Sequence, residues 1–250
     1  MNARLAGKVA IITGATSGIG AATARRLAAE DARLVLAGRS AERGETLAAE
    51  LGAVFIADDL VAQGTADRLA RAALEHYGRL SVLVNNAALD HTGDLLTTPI
   101  EEARALFDVN FFAALCMIQA VGQVMADGGG GAIVNVTSRL ASVGVPQMSL
   151  YSASKGALQA LTRGAAVEFA PLGIRVNAVA PGRTRTPLYD AWLSGQPDPR
   201  SAEARVLAAI PQRRLASPDD IAAAIAYLAS DDASHVTGIT LPVDGGYTAV

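Results

Sequence analysis

A single cysteine, Cys116, in 250 residues excludes any disulfide within the chain and points to a reducing setting. Flanked by Leu115 and Met117, it is expected to be a buried small hydrophobe. The three histidines, His76, His91 and His235, lie far apart without ligand spacing, so no metal centre is expected. Aromatic residues make up only 4% of the chain, which leaves no stacking platform for bases. Charge of one sign is also lacking: 21 basic against 24 acidic residues give a net −3, with no nucleic-acid footprint. No continuous apolar run approaches the ~20 residues of a membrane span. Residues 1–8 lack a long apolar stretch beside a basic patch, so neither a secretory leader nor a membrane partner is expected, and the setting is read as cytoplasmic. No Pro/Gly/Ser-rich linker and no internal repeat divides residues 1–250, which are expected to form a single domain.

What is present is apolar residues, 51% of the chain against 18% charged, enough for a large core. Short runs rich in β-branched residues predict strands over 9–13, 34–37, 54–57, 82–85, 133–137, 176–179 and 239–243. Alanine-rich stretches of helical period, such as 21–30, 41–51, 65–76 and 150–169, lie between them. This alternation predicts an α/β fold: a doubly wound, Rossmann-type parallel sheet of seven strands with helices on both faces. Nearly all-apolar strands fit a sheet covered on both sides. The segment 189–210, with Gly195, Pro197 and Pro199, breaks the rhythm and is expected to be a loop that lids a site, the alternative being an inert insertion.

The first predicted strand runs into Thr13-Gly14-Ala15-Thr16-Ser17-Gly18-Ile19-Gly20, and a helix starts at once. Glycines there let the backbone turn sharply against a pyrophosphate, and the helix N-terminus offers free N–H groups. Three residues between Gly14 and Gly18 depart from the usual dinucleotide fingerprint, and that variant resembles the short-chain dehydrogenase/reductase family. The resemblance extends along nearly the whole chain. Asn85-Asn86-Ala87-Ala88 is similar to the family's Asn-Asn-Ala-Gly, with Ala88 in place of glycine. Asn110, Ser138, Tyr151 and Lys155 match its catalytic positions. Pro181-Gly182, Thr184 and Thr186 match the nicotinamide-side loop, although Thr184 stands where an aliphatic residue is common. Asp244-Gly245-Gly246 matches a C-terminal signature. The resemblance implies a dinucleotide held by Gly14, Thr16, Ser17, Gly18, Ile19, Gly20, Asn86, Ala87, Ala88, Tyr151, Lys155, Pro181, Gly182, Thr184 and Thr186, with Asp59-Leu60 rather than Asp58 at the adenine.

Choice between the two dinucleotides depends on the residues at the end of the second strand. An acidic residue there would accept from a free ribose 2′-OH. The chain instead has Gly38, then Arg39 and Ser40, a pairing suited to a 2′-phosphate. NADP(H) is therefore expected, with NAD(H) as the alternative if Arg39 merely sits on a solvated helix start or stacks on adenine.

Tyr151 and Lys155 are four residues apart in a helical segment and so share a face. A free phenol has a pKa of about 10, and a neighbouring ammonium together with the positive nicotinamide ring of an oxidised cofactor is expected to lower it towards a useful acid–base range. Ser138, at the end of the fifth predicted strand, is placed to hydrogen-bond the reacting oxygen. The resemblance assigns Asn110 the fixing of a water that links Lys155 to solvent, against the alternative of a buried, satisfied amide.

These residues imply an oxidoreductase that moves a hydride between nicotinamide and a carbonyl or secondary alcohol, with Tyr151 as acid and base. Two alternatives remain: a reductase of 3-oxoacyl thioesters, or a silent dinucleotide-binding regulator. Residues 128–131 and Leu172 supply no basic docking group where carrier-protein reductases resemble one another. Leu140, Val143, Met148, Leu188, Tyr189 and Trp192 suggest a partly apolar pocket for a small-molecule substrate. Arg139, Arg183 and Arg185 lie where they could meet a substrate anion or pair with neighbouring carboxylates. The family resemblance also implies a homotetramer, which the apolar faces of 107–124 and 150–169 allow.

Overall fold

Every residue of Val9–Thr13 is buried, as a strand covered on both faces must be, and the sheet is built outward from it. The computed structural model describes residues 3–250. Its strands are β1 (Val9–Thr13), β2 (Arg33–Gly38), β3 (Val54–Ala57), β4 (Val82–Asn85), β5 (Gly131–Val136), β6 (Ile174–Pro181) and β7 (Thr240–Val243). They form one parallel sheet in the order β3-β2-β1-β4-β5-β6-β7. The chain winds outward to β3, then returns to start again at β4 beside β1. That reversal is the topological switch point, where open α/β sheets bind ligands beyond the carboxyl ends of their strands.

The helices are α1 (Gly18–Ala29), α2 (Ala41–Leu51), α3 (Thr65–Tyr77), α4 (Ile100–Phe107), α5 (Ala113–Asp127), α6 (Ser149–Phe169), α7 (Pro187–Ser194), α8 (Pro199–Ala208) and α9 (Pro218–Ala229). Side-chain alternation along the strands divides the core in two. Ala10, Ile12, Leu36 and Val134 pack with Leu27 of α1, Leu47 of α2 and Ile221 and Ile225 of α9. Val9, Ile11, Val35 and Ile133 pack with Leu69 of α3, Met117 and Val121 of α5 and Ala165 of α6 on the opposite face. The predicted strands are all present, and three of them keep the expected bounds.

Two expectations need correction. The 189–210 segment is not a loop: α7 and α8 occupy most of it, each with a proline in its first turn and a capping side chain, Thr186 or Asp198, that accepts a backbone N–H. The prolines read as breakers are helix starters there, because the first-turn N–H they lack has no helical partner to lose. Cys116 is exposed rather than buried. Met117, Ile118, Val121 and Met125 of α5 face the sheet, and Cys116 falls on the opposite stripe with the exposed Phe112, Gln119 and Gln123. By length and mean hydropathy the helical run Ile100–Asp127 could cross a membrane, although Asp108, Asn110 and Gln119 interrupt its apolar residues. Its buried face is the one that packs on the sheet.

The last helix shows how local chemistry secures a core element. Ser217 Oγ accepts from the Asp220 N–H at 3.1 Å, the Asp220 carboxylate accepts from the Ser217 N–H at 2.8 Å, and Pro218 starts the turn. Arg214 donates to the same carboxylate and, with the Ser217 N–H, lowers its pKa to about 2. This depressed value adds stability that is present above the ordinary carboxylate range and is lost as pH falls through about 2. Ser217→Ala is expected to cost about 1 kcal/mol in urea denaturation at pH 7. An unshifted midpoint would remove the capping box from the stability of α9.

Candidate active site

Hydrogen bonds and glycines at the switch point tie the turn after β1 to the turn after β4. Thr13 Oγ1 accepts from the N–H groups of Asn86 and Ala87 at 3.0 and 3.2 Å. Asn86 Nδ2 in return donates to the carbonyls of Thr13 and Gly14, at 3.0 and 3.1 Å. Gly14 has φ +64°, and a Cβ on it would stand 2.8 Å from Ala87 Cα; one on Gly20 would stand 2.2 Å from the Gly14 carbonyl. Neither position tolerates a side chain, so the loop can lie flat against its neighbour. At the head of α1, Ser17 makes no side-chain cap, and the first turn carries no acidic residue. Its N–H groups are left facing outward, a geometry that suits a phosphate.

A cavity of about 460 Å³ runs along the carboxyl edge of the sheet from this loop. Arg39, Ser40, Arg43, Asp58, Asp59 and Leu60 line it beyond β2 and β3, and Ser138, Tyr151 and Lys155 line it beyond β5. Thr16, Ser17, Gly18, Ile19, Asn86, Ala87, Ala88, Pro181, Gly182, Thr184 and Thr186 line the stretch between and around them. Of the cofactor and catalytic residues singled out in the sequence, only Gly20 and Asn110 do not line it. A flat cradle, an uncapped helix start and a long cleft together fit a dinucleotide. Burial would raise the Asp58 carboxyl, but hydrogen bonds from Arg68 and the Asp59 N–H hold it below the usual range. Arg68 thus occupies Asp58, while Asp59 keeps a carboxylate at the cavity.

Lys155 is 2% exposed, and its Nζ donates to the Val136 carbonyl at 2.9 Å. Nζ lies 5.9 Å from the centre of the Tyr151 ring, so both groups reach the same end of the cavity. Burial lowers the ammonium to about 8, with Asp90 opposing the shift. Burial likewise pushes the Tyr151 phenol up to about 12, reinforced by Asp90 and opposed by the Ser138 hydroxyl and Arg183. Among the chain's own groups, burial thus works against the lowering expected from the neighbouring ammonium and the nicotinamide ring.

Asn110 sits in a single π-type turn, Asp108–Phe112, between α4 and α5. Its Oδ1 accepts from the Leu89 N–H at 2.8 Å, and Nδ2 donates to the Leu89 carbonyl at 3.0 Å and to Ser154 Oγ at 3.1 Å. Ser154 in turn donates to the Tyr151 carbonyl at 2.8 Å. Both amide hydrogens are engaged, so the side chain clamps the turn after β4 to the start of α6. A second buried network has no signal in the sequence. Asn85 Nδ2 donates to Asn135 Oδ1, and Asn135 Nδ2 donates to Thr162 Oγ1, each at 2.9 Å, which ties β4 and β5 to α6.

The arginines separate into two kinds. Arg185 pairs with Asp190 and Glu203 and is half exposed. Arg139 and Arg183 instead line the cavity and lie over aromatic rings, Tyr247 at 3.7 Å and Trp192 at 4.7 Å. Tyr247 is delivered by the C-terminal turn, where Asp244 accepts from Gly246 N–H, Thr248 N–H and Thr248 Oγ1. Leu140, Met148, Leu188 and Tyr189 complete the wall as expected, but Val143 does not reach it.

Comparisons with known proteins agree with this geometry. The family model described as enoyl-(acyl carrier protein) reductase matches residues 14–248. The cis-4-hydroxycyclohexanecarboxylate dehydrogenase of Sinomonas cyclohexanicum is 42% identical, with 100% of each chain covered. The D-threitol dehydrogenase of Mycolicibacterium smegmatis is 38% identical over 98% of this chain and 94% of its own. Among solved structures, a short chain dehydrogenase/reductase family protein superposes with a TM-score of 0.89 at 41% identity, covering 98% of this chain and 99% of that one.

Proposed function

We propose that this chain, which belongs to the short-chain dehydrogenase/reductase family, is an NADP(H)-linked oxidoreductase that interconverts a secondary alcohol and its carbonyl. The observation that carries this reading is the meeting of Ser138, Tyr151 and Lys155 in a cavity that begins at an uncapped helix N-terminus. The bound nicotinamide dinucleotide supplies or takes up the hydride. In reduction, Tyr151 Oη gives its proton to the substrate oxygen, and in oxidation it takes that proton back. The Ser138 hydroxyl holds the same oxygen by a hydrogen bond. Lys155 spends one of its three N–H donors on the Val136 carbonyl, which leaves two for the cofactor's ribose hydroxyls. Burial keeps the Tyr151 proton in place near neutrality, which is the protonation state that reduction starts from.

Preference for the phosphorylated cofactor is supported at the end of β2. A Cβ at Gly38 would stand 2.7 Å from Thr16 Cγ2, so a side chain at that position would crowd Thr16 of the glycine loop. Beside it stand Arg39 and Arg43, the latter donating to Ser40 Oγ at 3.1 Å. Two guanidiniums around a hydroxyl suit a 2′-phosphate. The dehydrogenase relatives, whose names give hydroxylated substrates, support chemistry at CH–OH carbons. Phe112 and Val167, 50% and 77% exposed on the helices around α5 and α6, support a homotetramer.

A panel of ketones, hydroxyketones and a 3-oxoacyl thioester with NADPH, followed by loss of the nicotinamide absorbance, tests the activity. Tyr151→Phe should lower turnover by about 10²- to 10⁴-fold while NADPH still binds. Wild-type turnover in that variant would remove Tyr151 from the chemistry. The kcat/KM for reduction should be level from about pH 6 to 7.5 and fall above about 8, as Lys155 gives up its proton. A profile flat to pH 10 would contradict it. Arg39→Ala should reduce the ratio of NADPH to NADH affinity by about tenfold or more; an unchanged ratio would favour NAD(H).

A further inference from the structure

We propose that Arg139 and Arg183 form a carboxylate-binding subsite at the substrate end of the cavity, so that the favoured substrates are oxo acids and the corresponding hydroxy acids. The proposal rests on the oxidoreductase reading above and gives its substrate class. Both guanidiniums line the same cavity as Ser138 and Tyr151. Arg139 comes directly after Ser138 and is only 6% exposed. Its Nη1 is shielded from solvent and has no hydrogen-bond partner among the described residues. A buried guanidinium left in that condition is costly unless an anion completes it.

The surroundings explain why no protein group does so. Arg139 lies over Tyr247 and Arg183 over Trp192, at 3.7 and 4.7 Å, so each guanidinium is held by a ring face and not by an ion pair. Asp244 is near enough to sense the charge of Arg139, but its carboxylate is committed to Gly246 and Thr248. Arg183 is opposed by burial and by the like charge of Arg139, and Asp90 is the one carboxylate that supports it from the cavity wall. The neighbouring Arg185, with two acidic partners, shows what a neutralised arginine looks like in this loop.

Two guanidinium forks facing one space match a planar carboxylate, which can accept two parallel N–H bonds from a fork. Asp90 already contributes one negative charge there, so a monoanion fits better than a dianion. Leu140, Met148 and Leu188 line the wall alongside, so the segment joining the carboxylate to the reacting carbon is expected to be apolar.

Two measurements on the NADPH-loaded protein separate this subsite from the chemistry. The first compares reduction of 4-oxopentanoate, 5-oxohexanoate and 6-oxoheptanoate with that of their methyl esters. At least one acid should exceed its ester in kcat/KM by about tenfold or more, and the acid-to-ester ratio should fall by a similar factor in Arg139→Gln and in Arg183→Gln. Equal use of acids and esters, or a ratio that neither variant moves, would overturn the subsite. The second is calorimetric binding of benzoate, which has no carbonyl to reduce, against neutral benzamide. Benzoate should bind more tightly, and its Kd should rise about tenfold in either variant. Equal affinity for the two probes would also overturn it. If Arg139→Gln does not fold, Arg183→Gln and the charge-preserving Arg139→Lys carry the same comparison, the latter expected to keep only part of the preference. Failure to reduce any acid, ester or ketone, with benzoate binding still arginine-dependent, would sink the oxidoreductase reading and leave the anion site standing.

Discussion

A fully buried ammonium governs this site. Lys155 reaches the cavity from α6 with one protein hydrogen bond, to the carbonyl that ends β5, and the charge of Asp90 only partly offsets the cost of its burial. That arrangement requires β5 and α6 to hold a fixed relation, because a buried cation that loses its partner costs several kcal/mol. The fold supplies the fixing. Asn85, Asn135 and Thr162 bond in series through the core, and Asn110 with Ser154 ties the turn after β4 to the first turn of α6. Polar groups buried in the middle of an otherwise apolar domain are thus used to aim one helix.

The same low-dielectric setting decides protonation. Burial drives the phenol and the ammonium towards their neutral forms together, the first to about 12 and the second to about 8. Near neutrality the tyrosine is an acid with its proton in place and the lysine still carries charge. Arg139 and Arg183 extend the positive field beyond them, held by stacking on Tyr247 and Trp192 instead of by ion pairs. A carbonyl oxygen that gains negative charge during reduction would meet a site already arranged for it.

Most of the fold and the site is legible in the chain because its signals are local. Strands buried along their length must be largely apolar, so β1 and β4 can be read residue by residue, and the half-buried edge strand β3 keeps the same apolar signal. Glycines have to stand where the turns after β1 and β4 touch, and the four-residue spacing of Tyr151 and Lys155 comes from helix geometry. The features that escape depend on facing and on distant partners. Cys116 has apolar neighbours in sequence but lies on the outer stripe of its helix. Pro187 and Pro199 look like breakers until their place in the first turn is known. Arg43 joins the cavity beyond β2 only because α2 starts at Ala41, and Tyr247 joins Arg139 only through the turn that Asp244 closes. Burial of the phenol likewise escapes, because a charge partner is visible in the sequence and desolvation is not.

The claim that burial, rather than the neighbouring ammonium, sets the state of the phenol has a direct test. The protein would be labelled with ¹³C at tyrosine Cζ, the Tyr151 resonance assigned by its loss in Tyr151→Phe, and its shift followed from pH 6 to 10.5 in the absence of nucleotide. A resonance that stays at its protonated position across that range is the predicted result. A midpoint near or below pH 8 would contradict it and restore the ammonium as the dominant influence.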